Sequence, residues 1–144
     1  MYLNFSKINK SKSIIYNFCA IFYIHFPDFD SVYEPAEDSF ILLDALEIEI
    51  EQIRELKPTL ALEIGPGSGI ISAALANLTV NERNHQKLCF VFSCDINLSA
   101  CNATNRTAYH NNVSGNLEVI CCNLLESIKD RLLQNIDLGM FSVV

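Results

Sequence analysis

A short apolar segment followed by three alternating glycines constrains the fold of this chain more than any other feature. Thr59–Ile64 is a mostly apolar run, typical of a buried parallel strand. Ile70–Leu78, which comes after the glycines, is a helix-forming stretch rich in Ala and Leu. Together they predict a nucleotide-cofactor loop, because glycine lets the backbone approach a ligand where a Cβ would collide. The three glycines are Gly65, Gly67 and Gly69.

The carboxylate of Glu63, just before the turn, narrows the choice of cofactor. A turn that cradles pyrophosphate gains nothing from a neighbouring carboxylate, whereas one that receives the ammonium and sulfonium groups of S-adenosylmethionine does. The spacing Glu-x-Gly-x-Gly-x-Gly also differs from the dinucleotide pattern Gly-x-Gly-x-x-Gly. The sequence therefore favours S-adenosylmethionine, and an ordinary glycine-rich turn is the structural alternative.

Composition limits the kinds of protein that this chain can be and the kinds of partner that it can bind. A chain of 144 residues, half of them hydrophobic, predicts one domain with its own core. The net charge of −7 argues against a broad nucleic-acid surface, which needs clustered Lys and Arg, and favours a protein or small-molecule substrate. The six cysteines include no Cys-x-x-Cys pair, so they predict buried free thiols in a reducing cytosol rather than a zinc site or disulfides.

Strands alternate with helices along the chain. Further strands are predicted at Leu88–Cys94 and Leu117–Cys121, and Ile136–Phe141 begins a fourth. This alternation predicts an α/β fold with a parallel sheet and right-handed crossovers. The predicted helices are one that carries apolar residues from Phe40 to Ile53 and ends before Pro58, then Ile70–Leu78, about Ser99–Tyr109, and Leu125–Leu133.

The first thirty residues are set apart as an N-terminal extension of uncertain role, and the domain is taken as residues 31–144. The apolar run Ile14–Phe26 is shorter than the roughly 18 residues that span a bilayer. It faintly resembles a signal peptide, but no small-residue cleavage site follows. A strand or helix that packs on the body of the protein is favoured over a signal or anchor.

Polar residues follow the second and third predicted strands, where a doubly wound fold binds its ligand. Asp95 ends the second strand, and its carboxylate can accept both ribose hydroxyls of an adenosine, with a helix N-cap or a solvated loop acid as the alternative. Asn123 follows the third strand, beside the position of an adenine ring that Cys122 and Leu124 could flank. An ordinary turn residue is the alternative for Asn123.

These residues give the chain a resemblance to a known family. The chain resembles the HemK-like class I methyltransferases, most closely the eukaryotic branch that methylates a glutamine of the translation termination factor. The resemblance spans about residues 26–141 and implies a Rossmann-like class I methyltransferase fold. It rests on Val32-Tyr33-Glu34-Pro35-Ala36-Glu37-Asp38-Ser39-Phe40, on Glu63-Ile64-Gly65-Pro66-Gly67-Ser68-Gly69 and on Cys94-Asp95-Ile96-Asn97.

The resemblance also implies a set of cofactor-binding residues. The segment 33–38, which by itself could be only the start of a helix, would line the cofactor pocket. The glycine turn would hold the methionine portion of the cofactor, and the loops after the second and third strands would hold its ribose and adenine. The residues so assigned are Tyr33, Glu34, Pro35, Asp38, Glu63, Gly65, Gly67, Gly69, Asp95, Ile96, Asn123 and Leu124.

The activity implied is transfer of a methyl group to the side-chain nitrogen of a glutamine in a Gly-Gly-Gln loop. The family works with a small zinc-binding activator subunit and acts in the cytoplasm, with the nucleus as the alternative location. No membrane association and no nucleic-acid partner are expected. Methylation of an adenine N6 or another amine, and a catalytically inactive form that binds the activator, stay open as alternatives.

Two departures from the family pattern qualify these expectations. The adenine-side residue is usually Asp and here is Asn123, which cannot supply charge. The family's catalytic motif Asn-Pro-Pro-Tyr does not follow Phe141, so no catalytic residue is assigned. The fold is therefore expected to be partial, with about four parallel strands and without the later ones. The fourth strand would lie beside the first as an edge, so the chain is expected to be unstable, a fragment, or completed by something else.

Overall fold

The computed structural model describes residues 30–79, 89–124 and 126, and the backbone of residues 139–140. The predicted N-terminal run 14–26 and the predicted helix 125–133 lie outside these ranges, apart from residue 126. No helix within the described ranges is long and apolar enough to cross a bilayer.

A parallel sheet forms the centre of the described residues. Its strands are β1 (Leu60–Ile64), β2 (Phe90–Asp95), β3 (Leu117–Cys121) and β4 (Gly139–Met140). Their order is β3-β2-β1-β4, and every neighbouring pair is parallel. The predicted α/β class is confirmed, and so is the place of the fourth strand beside the first. The carboxyl ends of β1, β2 and β3 therefore lie at one edge of the sheet.

The helices agree with the sequence except in the first segment. The structure has α1 (Glu37–Ile48) and α2 (Ile50–Leu56) where the apolar spacing predicted one helix. Glu49 causes the break, since its ψ of 1° departs from helical geometry. Leu46 and Ile53 nevertheless both stay buried, which explains why the spacing looked continuous. Of the later helices, α3 (Ile70–Leu78) has the predicted bounds and α4 (Leu98–His110) is longer by one residue at each end.

The two faces of the sheet carry different apolar clusters. Ala61, Val91 and Leu117 lie on the face that packs against α3 and α4. Leu62 and Cys94 belong to a second cluster on the other face. The face against α3 and α4 is the more deeply buried, so a polar side chain on it needs a partner. Within the described residues all five cysteines are free.

Candidate functional site

The glycine loop between β1 and α3 combines open and crowded positions. Gly65, Gly67 and Gly69 have φ values of 76°, 53° and 79°, a region that favours glycine. A Cβ at Gly65 or Gly67 would meet nothing within 4 Å, whereas one at Gly69 would lie 2.6 Å from the Cα of Thr104. The first two glycines therefore leave room for a ligand, and Gly69 lets the loop pack directly on α4.

Backbone and threonine hydrogen bonds fix the loop in place. The Gly65 amide donates to the Cys94 carbonyl at 2.8 Å, which ties the start of the loop to β2. The Thr104 hydroxyl donates to the Gly67 carbonyl at 3.2 Å, and the Thr107 hydroxyl donates to the Ser68 carbonyl at 2.6 Å. The loop is thus held by β2 and α4 before any ligand arrives.

Asp95 lies beside this loop, and its predicted role as the ribose-binding carboxylate stays a prediction. One carboxylate oxygen accepts from the Gly67 amide at 3.4 Å, and the other accepts from the Asn97 amide at 2.8 Å. The side-chain oxygen of Asn97 accepts from the Ser99 amide at 2.9 Å, so Asn97 and not Asp95 caps α4. Asp95 is half-buried and is therefore partly accessible at the edge where the strands end.

Glu63 lies in β1, two residues before Gly65, and is buried. Its side chain is 3% exposed and its carboxylate accepts a hydrogen bond from the Ser72 hydroxyl. Burial raises the pKa of Glu63 to about 7; the Ser72 hydrogen bond lowers the pKa and the charge of Asp95 raises it further. The predicted contact between Glu63 and the cationic end of a cofactor stays a prediction.

The loops after β2 and β3 present exposed apolar side chains. The Cys122 amide donates to the Asp95 carbonyl at 2.9 Å, which brings the end of β3 alongside Asp95. Ile96 is 74% exposed and Leu124 is 61% exposed, at the positions assigned to ribose and adenine. Asn123 is also exposed, and its amide donates to Glu126 at 3.2 Å. These residues form an accessible edge next to the glycine loop.

The segment before α1 is attached to the beginning of α4. The Asn97 side-chain amide donates to the Ser31 carbonyl at 2.5 Å, and Val32 is buried against Ala100 and Ala103. This attachment brings the segment 32–40, one of the three motifs that carry the family resemblance, near the end of β2.

The four predicted pocket residues of that motif keep their side chains largely accessible. Tyr33 and Glu34 are exposed and Pro35 is half-buried. Asp38 is exposed in the first turn of α1, where its carboxylate accepts from the Ser39 amide at 2.8 Å. Their place in a cofactor pocket stays a prediction.

Sequence reasoning missed four hydroxyl side chains that support the site. For Ser72 and Ser93 the available signal was a serine within an apolar run, because a buried hydroxyl needs a hydrogen-bond partner. Thr104 and Thr107 stand in a mixed polar stretch that gave no such signal. Each of the four is buried, and each bonds to the glycine loop, to Glu63 or to another of the four. They are Ser72, Ser93, Thr104 and Thr107.

Comparison with known sequences finds methyltransferases that are similar to this chain. The human methyltransferase HEMK2 is 36% identical over 115 residues, which cover 79% of this chain and 49% of that protein. The catalytic subunit mtq2 of the eRF1 methyltransferase from Schizosaccharomyces pombe is 44% identical over 87 residues, covering 58% of this chain and 36% of that protein. The chain is thus similar in sequence to HemK-like methyltransferases over 79% of its length.

The chain spans about half the length, or less, of the curated relatives it matches. No family model matches it. Among solved structures, the Podospora anserina methyltransferase PaMTH1 matches with a TM-score of 0.52 and 22% identity, over 83% of this chain and 45% of that one. This similarity agrees with the Rossmann-like class I methyltransferase fold, here a partial parallel sheet with flanking helices.

Proposed function

We propose that this chain binds S-adenosylmethionine and supplies the cofactor-binding part of a methyltransferase. The observation that carries the proposal is the carboxylate of Asp95 beside the amide of Gly67, in a loop with two open glycine positions. This arrangement combines an acceptor for ribose hydroxyls with backbone that a ligand can approach closely. The similarity to the methyltransferase HEMK2 supports a methyl-transferring protein, and the structurally similar PaMTH1 was solved with S-adenosylhomocysteine bound.

Each part of the site then has a separate task. Gly65 and Gly67 would receive the methionine portion along their open side, and Asp95 would accept hydrogen bonds from the ribose. Ile96 and Leu124 would cover the adenine ring, which explains why two apolar side chains are exposed at this edge. When bound, S-adenosylmethionine supplies a methyl group activated by a sulfonium. The residues of this chain bind and orient that group.

The proposed acceptor is the glutamine of the Gly-Gly-Gln loop of a translation termination factor. An amide nitrogen is a weak nucleophile because its lone pair is delocalised, so catalysis depends mainly on positioning. The net charge of −7 favours a protein acceptor over nucleic acid. A small zinc-binding activator subunit is the proposed partner, and the cytoplasm is the proposed location. Residues 31–144 are the proposed cofactor-binding domain.

Cofactor binding is tested by calorimetric titration of the 144-residue chain with S-adenosylhomocysteine. We expect one site, and we expect Asp95→Ala to weaken it by about tenfold or more, because a charged acceptor is lost. Asp44→Ala is the matched control, since Asp44 is an exposed carboxylate on α1, away from the loops after β1, β2 and β3. Absence of binding to the folded chain would refute the proposal.

Methyl transfer is tested with the longest polypeptide that the transcript encodes, coexpressed with the activator. Labelled S-adenosylmethionine is supplied together with the termination factor or with a variant whose Gly-Gly-Gln glutamine is replaced. Label in the intact factor alone supports the proposed acceptor. Comparable labelling of the variant, or of DNA, contradicts it.

A further inference from the structure

Three polar side chains from different elements meet beneath the glycine loop. Glu63 of β1 and Ser93 of β2 are direct partners in the parallel pairing of the two strands. Ser72 lies above them in the first turn of α3, where its hydroxyl donates to Glu63 and lies 2.5 Å from the Ser93 hydroxyl. Both serines are fully buried and Glu63 is almost so. This group of three is called the hydroxyl chain below.

The hydroxyl chain stands in surroundings that do not otherwise favour polar groups. Ala61 and Val91 lie on the same face of the sheet, two residues before Glu63 and Ser93, and belong to the main apolar cluster. A buried hydroxyl costs free energy unless it is hydrogen-bonded, so packing alone does not account for two serines here. The partner of Ser72 is the Glu63 carboxyl, and the partner of Ser93 is Ser72.

Each serine hydroxyl has one hydrogen, so the charge of Glu63 determines which group donates to which within the hydroxyl chain. When Glu63 is ionised, Ser72 donates to the carboxylate, and Ser93 must then donate to Ser72. When Glu63 is protonated, it donates to Ser72, which donates to Ser93. The three groups therefore stay hydrogen-bonded to one another in both charge states by reversing the two bonds between them, with the carboxyl kept in one position.

We propose that Ser72 and Ser93 are positioning residues that hold the Glu63 carboxyl as the anionic counterpart of the cofactor's cationic methionine portion. The inference rests on the proposed function. A carboxylate fixed in a poorly solvated place attracts a cation more strongly than one in water. The open sides of Gly65 and Gly67, directly after Glu63 in the chain, are where that cation would lie.

The test compares a ligand that carries the cationic portion with one that lacks it. S-adenosylmethionine has the sulfonium and ammonium groups, whereas 5′-methylthioadenosine keeps only the adenosine and a neutral thioether. We expect Ser72→Ala to weaken S-adenosylmethionine by about tenfold, the loss of one hydrogen bond to a charged group, and methylthioadenosine by no more than about twofold. Ser93→Ala acts through Ser72, so we expect a smaller effect of about threefold on S-adenosylmethionine alone.

Thr79→Val is the matched control for loss of a buried hydroxyl on the same helix. Thr79 is buried at the other end of α3, where its hydroxyl donates to the carbonyls of Leu75 and Ala76. Its loss lowers stability without changing the ratio of the two dissociation constants. Ser72→Thr keeps a hydroxyl and should restore the ratio in part.

The outcomes separate this inference from the proposed function. Equal losses for both ligands in Ser72→Ala, or an unchanged affinity for S-adenosylmethionine, overturn the positioning role while the chain still binds its cofactor. A wild-type chain that binds neither ligand overturns both proposals. If Ser72→Ala does not fold, Ser93→Ala is the deciding variant. Weaker binding of S-adenosylmethionine alone supports the inference, and equally weaker binding of both ligands refutes it.

Discussion

The two halves of the candidate cofactor site are built in different ways. The buried half consists of Glu63, the glycine loop 65–69 and the hydroxyls bonded to them, and it is fixed by contacts within the protein. The exposed half consists of Asp95–Ile96 and Asn123–Leu124, of which Ile96, Asn123 and Leu124 are exposed and Asp95 is half-buried. Substitutions in the buried half should therefore act first on folding, and substitutions in the exposed half should act first on ligand affinity.

Replacement of Gly69 gives the largest expected effect and tests the buried half. In Gly69→Ala the new Cβ would lie 2.6 Å from the Thr104 Cα, at a φ of 79° that disfavours alanine. We expect the free energy of unfolding to fall by about 4 kcal/mol, from steric overlap and backbone strain together. Gly67→Ala has the strain without the overlap and should cost about 1 kcal/mol. Urea unfolding that shows equal losses would contradict the packing of the loop on α4.

The pH dependence of stability tests the charge of the buried half. Burial raises the pKa of Glu63 from its ordinary 4.5 to about 7, so between these values the folded state binds more protons than the unfolded state. The stabilising effect of the protonated form is complete below pH 4.5 and is lost as the pH rises to about 7. One such group lowers the free energy of unfolding by at most about 1.4 kcal/mol per pH unit within that window.

Glu63→Gln isolates this contribution, because the amide does not titrate. The difference in unfolding free energy between wild type and variant should therefore change between pH 5 and pH 7 and level off above it. Urea unfolding at several pH values measures the difference. Parallel curves for the two proteins would show that Glu63 is ionised throughout and that the carboxyl is not desolvated as the structure has it.

The helices and strands of the fold follow from patterns among neighbouring residues in the sequence. The hydrogen bonds that support the site do not. Thr59–Ile64 and Ile70–Leu78 were predictable because an apolar run and a helix-forming run are separated by glycines that only a turn requires. The break at Glu49 was not predictable, since the spacing of Leu46 and Ile53 stays helical across it. Periodicity records which side chains are buried and does not record the local dihedral angles.

The candidate site was predictable only where a residue type has one chemical use. Asp95 after a strand and Gly67 in a turn point to a ligand by their positions alone. Ser72 and Thr104 gave no such signal, because each needs a partner that is close only in the folded chain, nine and 37 residues away along the sequence. Long-range pairing therefore marks the limit of what this sequence reveals by itself.

Asp95→Asn tests the exposed half at its most polar position. The amide keeps the shape and one acceptor oxygen but loses the charge, so we expect about tenfold weaker binding of S-adenosylhomocysteine with little change in stability. Calorimetric titration measures the affinity, and an analogue without the ribose 2′-hydroxyl is the control, because its binding should respond less to the substitution. An equal response to both ligands would place Asp95 away from the ribose.

Replacement of Ile96 gives the smallest expected effect on cofactor affinity. It separates the two halves of the site most clearly, because it should change affinity with almost no change in stability. Ile96 is 74% exposed, so Ile96→Ser removes little buried area from the free protein and should change the unfolding free energy by about 0.5 kcal/mol or less. If the adenine ring covers it, the lost apolar contact should weaken cofactor binding by about fivefold. Ile48→Ser is the control, since Ile48 is 77% exposed at the end of α1. Unchanged affinity in both variants would mean that Ile96 is exposed for a reason other than the cofactor.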